Sequence, residues 1–487
     1  MEITGITLAN GRNPVNISGF TKDQANAYND IIEFINNDFN INDFTRALIG
    51  PAGTGKTYLV NALIRNCKLS YSVIGLSAPT HKACRVLAES IKGTTCKIIT
   101  LQSALGLRLN FDVEKFDINN PPFDPKGKIK IKDMDLFIVD EASMINKGLK
   151  TFLERVCKSN CCKVLYIGDG SQLPPVNEKT SSAFEHVKLF KLNQIVRQDE
   201  DNPVRNILQI LRDDIAHNTF NFITYIMQRR QEWDNSFIKG WQVCNSNEFS
   251  NLVYNNFNDE QLTTNVDFCK IVAYTNNCVS GWNKFVRNAI IKDADKTIIN
   301  KNDLILSYTT IVDGFLATVI QNSEEYIVKD IVNFIHPKYE LKGFAVKFIA
   351  IHGGKETKPL FIVDHSDNFT IQKYIQISSD LIAAAKAAGQ RTRAQRWKDY
   401  YEFKESCLLL TNIVKRDGTI LYSRDLDYGF ALTGHKAQGS TYDTVFVDLN
   451  DILYDKNGRP YTKSEEIKRL IYTAISRCRN KVYLKLG

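Results

Sequence analysis

The stretch that decides the fold is RALIGPAGTGKT, residues Arg46 to Thr57. Its short apolar run, Arg46–Ile49, leads into a loop that matches G-x-x-x-x-G-K-[ST] at every defined position. A helical pattern, Lys56–Arg65, begins where the loop ends. Because a strand, this loop and a helix in that order form the context in which the pattern binds phosphate, the sequence predicts a phosphate-binding loop here.

The residue types of this loop suit the parts of a magnesium nucleotide. Gly50, Gly53 and Gly55 let backbone N–H groups curl around phosphate oxygens, and the following helix points its positive dipole end at them. Lys56 is expected to reach the β- and γ-phosphates, and the Thr57 hydroxyl to hold Mg²⁺. A glycine turn followed by a chance lysine is the alternative, and the placement between strand and helix weighs against it.

A second apolar run ends in two acids. Leu136–Val139 is followed directly by Asp140 and Glu141. Asp140 is placed to hold the water shell of the metal, and Glu141 to orient and deprotonate an attacking water. Two adjacent acids after a strand are often only a solvated turn. In combination with the phosphate loop, the catalytic interpretation is favoured.

The remaining apolar runs predict an α/β fold. Strand-like runs alternate with helical patterns in the first half, which indicates a parallel sheet with helices on both faces. The runs are Arg46–Ile49, Ser72–Ser77, Leu136–Val139 and Lys163–Ile167, with helical stretches at Gln24–Asn36 and Lys56–Arg65. Similar signals at Phe268–Ala273, Thr444–Asp448 and Val482–Leu486 predict a second wound sheet.

The composition is that of a globular chain. Its 487 residues allow about two to four domains, and 43% apolar against 24% charged residues exclude the disordered classes. A net charge of +8 is compatible with a polyanion without requiring one. Eleven irregularly spaced cysteines predict reduced thiols, and no apolar run is long enough for a membrane span. We expect a cytoplasmic protein, in the host cytoplasm if it is encoded by a phage.

In their order along the chain, these motifs resemble the superfamily 1 helicases of the 5′-to-3′ group, namely the phage Dda type and the RecD-like proteins. The resemblance extends from Phe20 to Leu486. It includes FTKDQ at 20–24, GDGSQLPPV at 168–176 and LTGHKAQGST at 432–441. It implies two RecA-like P-loop domains with parallel wound sheets, each carrying an insertion, and it implies ATP with Mg²⁺ as the cofactors.

The resemblance also implies domain boundaries. RecA-like domain 1A, which binds ATP, comprises 1–106 and 134–190, the inserted 1B pin hairpin 107–133, domain 2A 191–292 and 425–487, and the inserted domain 2B 293–424. Within this domain, the sequence has strand-like patterns at Tyr326–Phe334 and Phe344–Ile351 and a helical pattern from Ser379 to Glu405. The resemblance implies SH3-like strands followed by a helical extension.

Aromatic residues of the 1B insertion are candidates for strand separation. A pin that splits a duplex needs an apolar or aromatic tip to stack on the last base pair. Phe111, Phe116 and Phe123 are the candidates. For each of them, packing of the ribbon onto domain 1A is an equally open interpretation.

Five residues receive nucleotide roles from the resemblance alone. In the family, the glutamine of the first block, here Gln24, reads the adenine edge. The glutamine at Gln172 couples the γ-phosphate to the nucleic-acid groove. Arg197 and Arg477 fall on the two arginines that contact the γ-phosphate, and Gly439 is assigned to the nucleotide site.

Nucleic-acid contacts are carried over in the same way. The motif APTHKA at 78–83 and the block at 432–441 resemble the family's strand-gripping motifs. The residues assigned to the strand are Pro79, Thr80, His81, Lys82, Gln102, Thr433, His435 and Lys436. Hydroxyls, a neutral imidazole and a lysine beside backbone amides can fix a strand without reading its sequence. Where the family commonly has histidine, this chain has Gln102, which carries no charge.

The resemblance implies an ATP-dependent DNA helicase that translocates 5′ to 3′ on single-stranded DNA and unwinds duplexes in replication, recombination or repair. Single-stranded and forked DNA are its expected partners, with single-strand-binding or replisome proteins beside them, no membrane partner, and a monomeric state. Two alternatives stay open: an RNA-directed helicase or viral nucleoside triphosphatase, and a nucleotide-gated DNA-binding subunit of a recombination complex. The joint presence of Lys56, Glu141, Gln172 and Arg477 weighs against the second, because a clamp needs no such set.

Overall fold

The computed structural model describes residues 15–91, 93–107, 118, 127–175, 178–194, 196, 202–312, 318–415 and 419–487. The chain divides into two compact units, one comprising Met1–Val243 with Ala437–Leu486 and the other Cys244–Lys436 with Gly487. The domain boundaries given above stay predictions. The predicted ribbon at 107–133 lies largely outside the described residues, as do Phe111, Phe116 and Phe123.

The first unit begins with a six-stranded parallel sheet. Its strands are β1 (Thr45–Ile49), β2 (Ile74–Ala78), β3 (Lys97–Thr100), β4 (Leu136–Val139), β5 (Lys163–Gly168) and β6 (Lys188–Lys191). They lie in the order β3-β2-β4-β5-β1-β6. Every neighbouring pair is parallel. The accompanying helices are α1 (Lys22–Asn36), α2 (Lys56–Asn66), α3 (His81–Ser90), α4 (Leu101–Leu105) and α5 (Lys147–Ser159).

Both faces of this sheet are covered, which explains its unbroken apolar strands. In β4, Leu136 and Ile138 join the core that contains α1 and α2, whereas Phe137 and Val139 join the core that contains α5. Because successive side chains of a strand point to opposite faces, both sets must be apolar. All four residues are consequently buried, as the sequence pattern predicts.

Two helices and an antiparallel hairpin follow the sheet in the first unit. These are α6 (Val204–His217), α7 (Asn221–Arg229), β7 (Gln231–Trp233) and β8 (Gly240–Cys244). Asp214 at the end of α6 is fully buried, and its carboxylate accepts hydrogen bonds from the backbone N–H groups of Asn221 and Phe222. This carboxylate therefore caps α7 and fixes the turn between the two helices.

The second unit contains a pair of parallel strands and a five-stranded antiparallel sheet. Its elements before the helical hairpin are α8 (Ser246–Phe257), α9 (Gln261–Thr264), β9 (Cys269–Ala273), α10 (Asn276–Ile290), β10 (Leu304–Ser307), β11 (Ile311–Val312), β12 (Thr318–Ile320), β13 (Glu325–Ile335), β14 (Lys342–Ala350) and β15 (Leu360–Val363). Val328, Val346 and Phe348 are among the fully buried residues of its core. The strand patterns at 326–334 and 344–351 are confirmed as β13 and β14.

A helical hairpin follows, made of α11 (Asn368–Ala387) and α12 (Gln390–Ser406). The sequence pattern predicted helix from Ser379 to Glu405, and the structure starts it earlier and interrupts it at Ala388 and Gly389. The early start has a local cause, because the Asp367 side chain accepts from the Thr370 N–H and caps α11. At the base of the hairpin, the Phe403 ring lies 4.9 Å from the rings of Tyr339 and Tyr374.

Short elements complete the second unit and return the chain to the first. They are β16 (Ile413–Val414), β17 (Ile420–Tyr422), β18 (Leu426–Tyr428), β19 (Ala431–Thr433) and α13 (Gly434–Ala437), and then β20 (Tyr442–Asp448), α14 (Leu449–Leu453), α15 (Ser464–Ile475) and β21 (Cys478–Lys485). The antiparallel sheet has the order β15-β14-β13-β10-β18. In the second unit β9 pairs with β19, and in the first β20 pairs with β21, both in parallel.

The predicted fold class is confirmed as mixed α/β with a six-stranded parallel sheet. This architecture is consistent with two RecA-like domains. All eleven cysteines are free thiols. Within the described part of the chain, no helix combines the length and the apolar character needed to cross a bilayer.

Candidate nucleotide and nucleic-acid site

The phosphate loop joins β1 to α2, and its lysine is hydrogen-bonded to carbonyl groups of the same loop. The Lys56 ammonium donates to the carbonyl oxygens of Gly50 at 2.5 Å and Pro51 at 2.9 Å. The Gly50 N–H donates to the Gly168 carbonyl at 3.1 Å, which ties the loop to the end of β5. An ammonium to which its sequence neighbours in a glycine loop offer neutral carbonyls is positioned to take an anionic partner.

Gln24 lies against the last turn of this loop. Its amide nitrogen donates to the Thr54 carbonyl at 2.9 Å, and its amide oxygen accepts from the Thr21 N–H at 3.0 Å as part of the capping box of α1. Gly55 has φ of +79°, and a Cβ there would approach the Gln24 amide nitrogen to 2.4 Å. Glycine is therefore required at this position by both backbone conformation and contact. The structure places Gln24 beside the loop, and its contact with adenine stays a prediction.

The two acids follow β4 at the same edge of the sheet as the loop. The Asp140 N–H donates to the Ser77 carbonyl at 2.8 Å, and the Asp140 carboxylate accepts from the Glu141 N–H at 2.9 Å. Glu141 has φ of 50°, in the left-handed region, which turns the chain sharply after the strand.

Burial and the negative charge of Glu141 raise the pKa of Asp140 to about 6, against the lowering influence of Lys56. The loop and the acids thus act on each other electrostatically. The exposed Thr57 hydroxyl and the Asp140 carboxylate are hard oxygen donors, which fit Mg²⁺.

The raised pKa of Asp140 predicts that replacing this carboxylate by a neutral group increases the free energy of unfolding, by an amount that depends on pH. A carboxyl group whose pKa is higher in the folded than in the unfolded protein binds protons more tightly in the folded state, so its ionisation lowers the free energy of unfolding as pH rises through 6. We expect Asp140→Asn in metal-free buffer to raise that free energy by about 1–3 kcal/mol at about pH 8, and by almost nothing at about pH 4. Denaturant unfolding at both pH values measures it.

The control for this measurement is Asp135→Asn, because Asp135 is exposed just before the same strand. Its replacement should leave the difference between the two pH values unchanged. If Asp140→Asn raised the free energy of unfolding equally at both pH values, the electrostatic cause would be contradicted.

The segment Gly168–Leu173, which begins at the loop contact described above, is fastened to α15. The Tyr472 hydroxyl donates to the Asp169 carboxylate at 2.7 Å, and both residues are buried. Burial, together with the Asp169 charge, raises the pKa of Tyr472, so the phenol keeps its proton and stays a donor. The Leu173 N–H donates to the Thr473 hydroxyl at 3.0 Å.

Arg477 stands just beyond α15 and is buried. Its guanidinium donates to the Thr473 carbonyl at 3.1 Å, the Ser440 carbonyl at 3.3 Å and the Ser476 hydroxyl at 3.0 Å. The Thr473 residue that positions Arg477 is thus also bonded to the segment Gly168–Leu173. Gln172 in that segment is buried, and its amide oxygen has no hydrogen-bond partner among the described residues.

Tyr472, Thr473 and Asp169 were not among the predicted site residues. They lie inside sequence blocks that the motifs had identified, but the motifs do not show which side chains join the two blocks. The Gln438 amide, which donates to the Leu173 carbonyl at 3.2 Å, was missed for the same reason.

The predicted strand-contact residues of the first unit gather at the start of α3. The Thr80 hydroxyl accepts from the Ala83 N–H at 3.2 Å, and the Gln102 amide donates to the Pro79 carbonyl at 3.3 Å. The Lys82 ammonium lies 5.1 Å from the centre of the Tyr442 ring. His81 is partly exposed beside them.

Gly439 also lies at this place. A Cβ on Gly439 would approach the Ala83 Cβ to 3.5 Å and the Thr80 hydroxyl oxygen to 4.0 Å. Gly439 therefore belongs by contact to the start of α3, next to the strand-contact residues.

The remaining strand-contact residues belong to the second unit. The Thr433 hydroxyl accepts from the Lys436 N–H at 3.4 Å. The Lys436 ammonium lies 4.8 Å from the centre of the Tyr308 ring and 3.5 Å from the Ser323 hydroxyl. His435 is partly exposed. Arg197, the second predicted γ-phosphate arginine, lies outside the described residues.

Comparisons with known proteins match the two parts of the chain that contain these residues. The family model of an AAA domain matches residues 22–225, which contain the loop, the acids and the segment Gly168–Leu173. The family model of the UvrD-like helicase C-terminal domain matches residues 428–485, which contain α15 and Arg477. The two matches together support a superfamily 1 helicase.

The relatives of this chain have low sequence identity to it or match only a part of it. An uncharacterized protein of Acanthamoeba polyphaga mimivirus is 22% identical over 95% of this chain and 98% of its own length. The ATP-dependent RecD2 DNA helicase of Deinococcus radiodurans is 31% identical over 32% of this chain, which is 20% of that protein. Among solved structures, the Pif1 helicase of Candida albicans aligns over 96% of this chain and 94% of its own, with 16% identity and a TM-score of 0.47.

Proposed function

We propose that this helicase hydrolyses ATP to move 5′ to 3′ along single-stranded DNA and to unwind duplex DNA. The observation that carries the proposal is a continuous chain of contacts within the first unit. The phosphate loop is bonded to Gly168, the segment Gly168–Leu173 is bonded to Tyr472 and Thr473, and Thr473 holds Arg477. A change at the phosphate loop therefore has a direct path to the arginine.

The proposed chemistry assigns one task to each group. Lys56 and the loop N–H groups bind the β- and γ-phosphates, and Glu141 takes the proton of the attacking water. Arg477 and Arg197 stabilise the negative charge that develops on the γ-phosphate oxygens. Thr57 and Asp140 would hold Mg²⁺, which when bound neutralises phosphate charge. Gln172 senses the γ-phosphate through its buried amide.

The proposed track is a single DNA strand held by its backbone. The strand-contact residues form two groups, one at the start of α3 in the first unit and one at 433–436 in the second. Hydroxyls, imidazoles and lysines at these places bind phosphate and sugar, so binding should be insensitive to base sequence and weaken steeply with salt. If the two groups release the strand alternately as ATP is hydrolysed, the protein advances along it.

The experiment that tests the proposal is strand separation of forked DNA that carries either a 5′ or a 3′ single-stranded tail, with and without ATP. We expect separation of the 5′-tailed fork with ATP alone, and DNA-stimulated phosphate release. Separation of neither fork would contradict the helicase activity, and preference for the 3′ tail would contradict the direction. Faster separation on an RNA track would favour the RNA-directed alternative.

A further inference from the structure

The end of the helical hairpin in the second unit is strongly basic. Residues 386–398, termed here the basic tip, read KAAGQRTRAQRWK and contain five cationic residues and no acid. They are Lys386, Arg391, Arg393, Arg396 and Lys398, and all five are exposed. Arg396 pairs with Asp399 at 3.6 Å, and the other four have no ion pair with any residue that the structure describes.

Arg391 and Arg393 do not serve the stability of α12. The helix starts after Gly389, which makes no side-chain capping bond, and its first turn contains no acid. Arg391 and Arg393 instead place positive charge at the end of the helix where the peptide dipoles are already positive. Since this arrangement disfavours the helix, the cations need another explanation, and an external polyanion provides one.

The cations face two opposite sides of α12. With about 3.6 residues per turn, Arg391 and Lys398 fall on one side, and Arg393 and Arg396 fall on the other. Throughout 390–396 every side chain is exposed. The first turns of α12 can therefore contact anions on both flanks at once, which a flat basic surface cannot do.

The basic tip, which the structure describes in full, has no aromatic ring that is free to stack on a base. Its single ring, Trp397, is partly buried and packs 5.8 Å from Tyr400 and 6.1 Å from Tyr401, measured between ring centres. Proteins that hold single strands without sequence preference combine a basic groove with rings free for bases. The exposed part of the tip has the charges without the rings, so it matches a partner whose phosphates are outside and whose bases are already stacked.

We propose that the basic tip binds duplex DNA, with the first turns of α12 lying in the major groove between the two phosphate backbones. The major groove admits an α-helix, and cations on both sides of that helix meet the strands that border the groove. The arginines contact phosphates and not base edges, so the binding is independent of sequence. This inference rests on the proposed function, and it adds duplex DNA to the single strand as a second form of DNA that the protein contacts.

The test compares the wild-type protein with the triple variant Arg391→Gln, Arg393→Gln, Arg396→Gln, using fluorescence anisotropy of a blunt DNA duplex. We expect the affinity for the duplex to fall about tenfold and the slope of log affinity against log salt to fall by about 3. Affinity for a single strand with the same number of phosphates, and the hydrolysis that it stimulates, should stay within about twofold.

The matched control is the triple variant Lys292→Gln, Lys296→Gln, Lys301→Gln, which removes the same charge from exposed positions of the same unit. It should bind the duplex like the wild type. Four results would each overturn the inference. The arginine variant could keep its affinity for the duplex, or lose affinity for duplex and single strand equally. The lysine control could lose as much duplex affinity as the arginine variant, or the wild type could bind an RNA duplex more tightly than the DNA duplex.

Failure of the inference and failure of the proposed function are separable. Anisotropy with the blunt duplex does not depend on hydrolysis, and ATP hydrolysis stimulated by a single strand does not involve the basic tip. A wild-type protein that hydrolyses ATP on single strands while the arginine variant keeps full duplex affinity retains the proposed function and loses only the inference.

Discussion

Replacing Lys56 by alanine should lower the rate of ATP hydrolysis by about a thousandfold while leaving single-strand binding measurable. The reason is the position of its ammonium group, which is held by the Gly50 and Pro51 carbonyls inside the phosphate loop. Neutral carbonyls are weaker partners for an ammonium than phosphate oxygens, so the charge is available to a nucleotide. Steady-state phosphate release and anisotropy with a single strand measure the two effects.

Lys68→Ala is the control, because Lys68 is an exposed lysine just beyond the end of the same helix. Its hydrolysis should match that of the wild type. Loss of strand binding by Lys56→Ala with hydrolysis intact would contradict the role assigned to Lys56, as would hydrolysis within tenfold of the wild type.

The second large effect is expected at Arg477. Arg477→Lys keeps a positive charge but loses the planar set of donors that bonds the Thr473 and Ser440 carbonyls, so the charge is no longer held in one place. We expect turnover at saturating ATP and single-stranded DNA to fall about a hundredfold or more, by comparison with arginine fingers. Affinity for a fluorescent ATP analogue should stay within about tenfold, since the arginine acts mainly on the transition state.

Arg479→Lys is the matched control. Arg479 lies two positions further along, is half exposed, and pairs with Asp443 at 3.2 Å. Its replacement should leave turnover within about twofold, because an exposed ion pair contributes little. If Arg477→Lys turned over ATP almost as fast as the control but unfolded at a much lower temperature than the control, Arg477 would be assigned to stability instead.

The features that the sequence predicted best are those with local causes. The strand runs before the phosphate loop and before Asp140 were found because a strand buried on both faces is apolar throughout, and the loop was found because only glycine tolerates its turns. The helix break at Gly389 and the early start of α11 were missed. The early start depends on the Asp367 cap, and the break allows α11 and α12 to pack against each other, neither of which apolar periodicity shows.

The candidate site was predictable as a set of residue types but not as a set of bonds. Motifs identified Gln172 and Arg477 separately. The bond between Tyr472 and Asp169, whose residues are far apart in the sequence, could not be predicted, because it depends on how the segment Gly168–Leu173 packs against α15. Gly439, which was predicted to lie at the nucleotide site, is close to Thr80 and Ala83, and its nucleotide role stays a prediction.

The two bonds of the Gln24 amide bear on the choice of purine. The Thr21 N–H requires an acceptor and the Thr54 carbonyl requires a donor, so the amide cannot be flipped without breaking both. Each end of the amide can form one further hydrogen bond, through the second lone pair of the oxygen and the second N–H of the nitrogen. That remaining pair complements the donor and acceptor edge of adenine, whereas guanine presents two acceptors along the same edge. Discrimination between ATP and GTP would then originate in a helix cap.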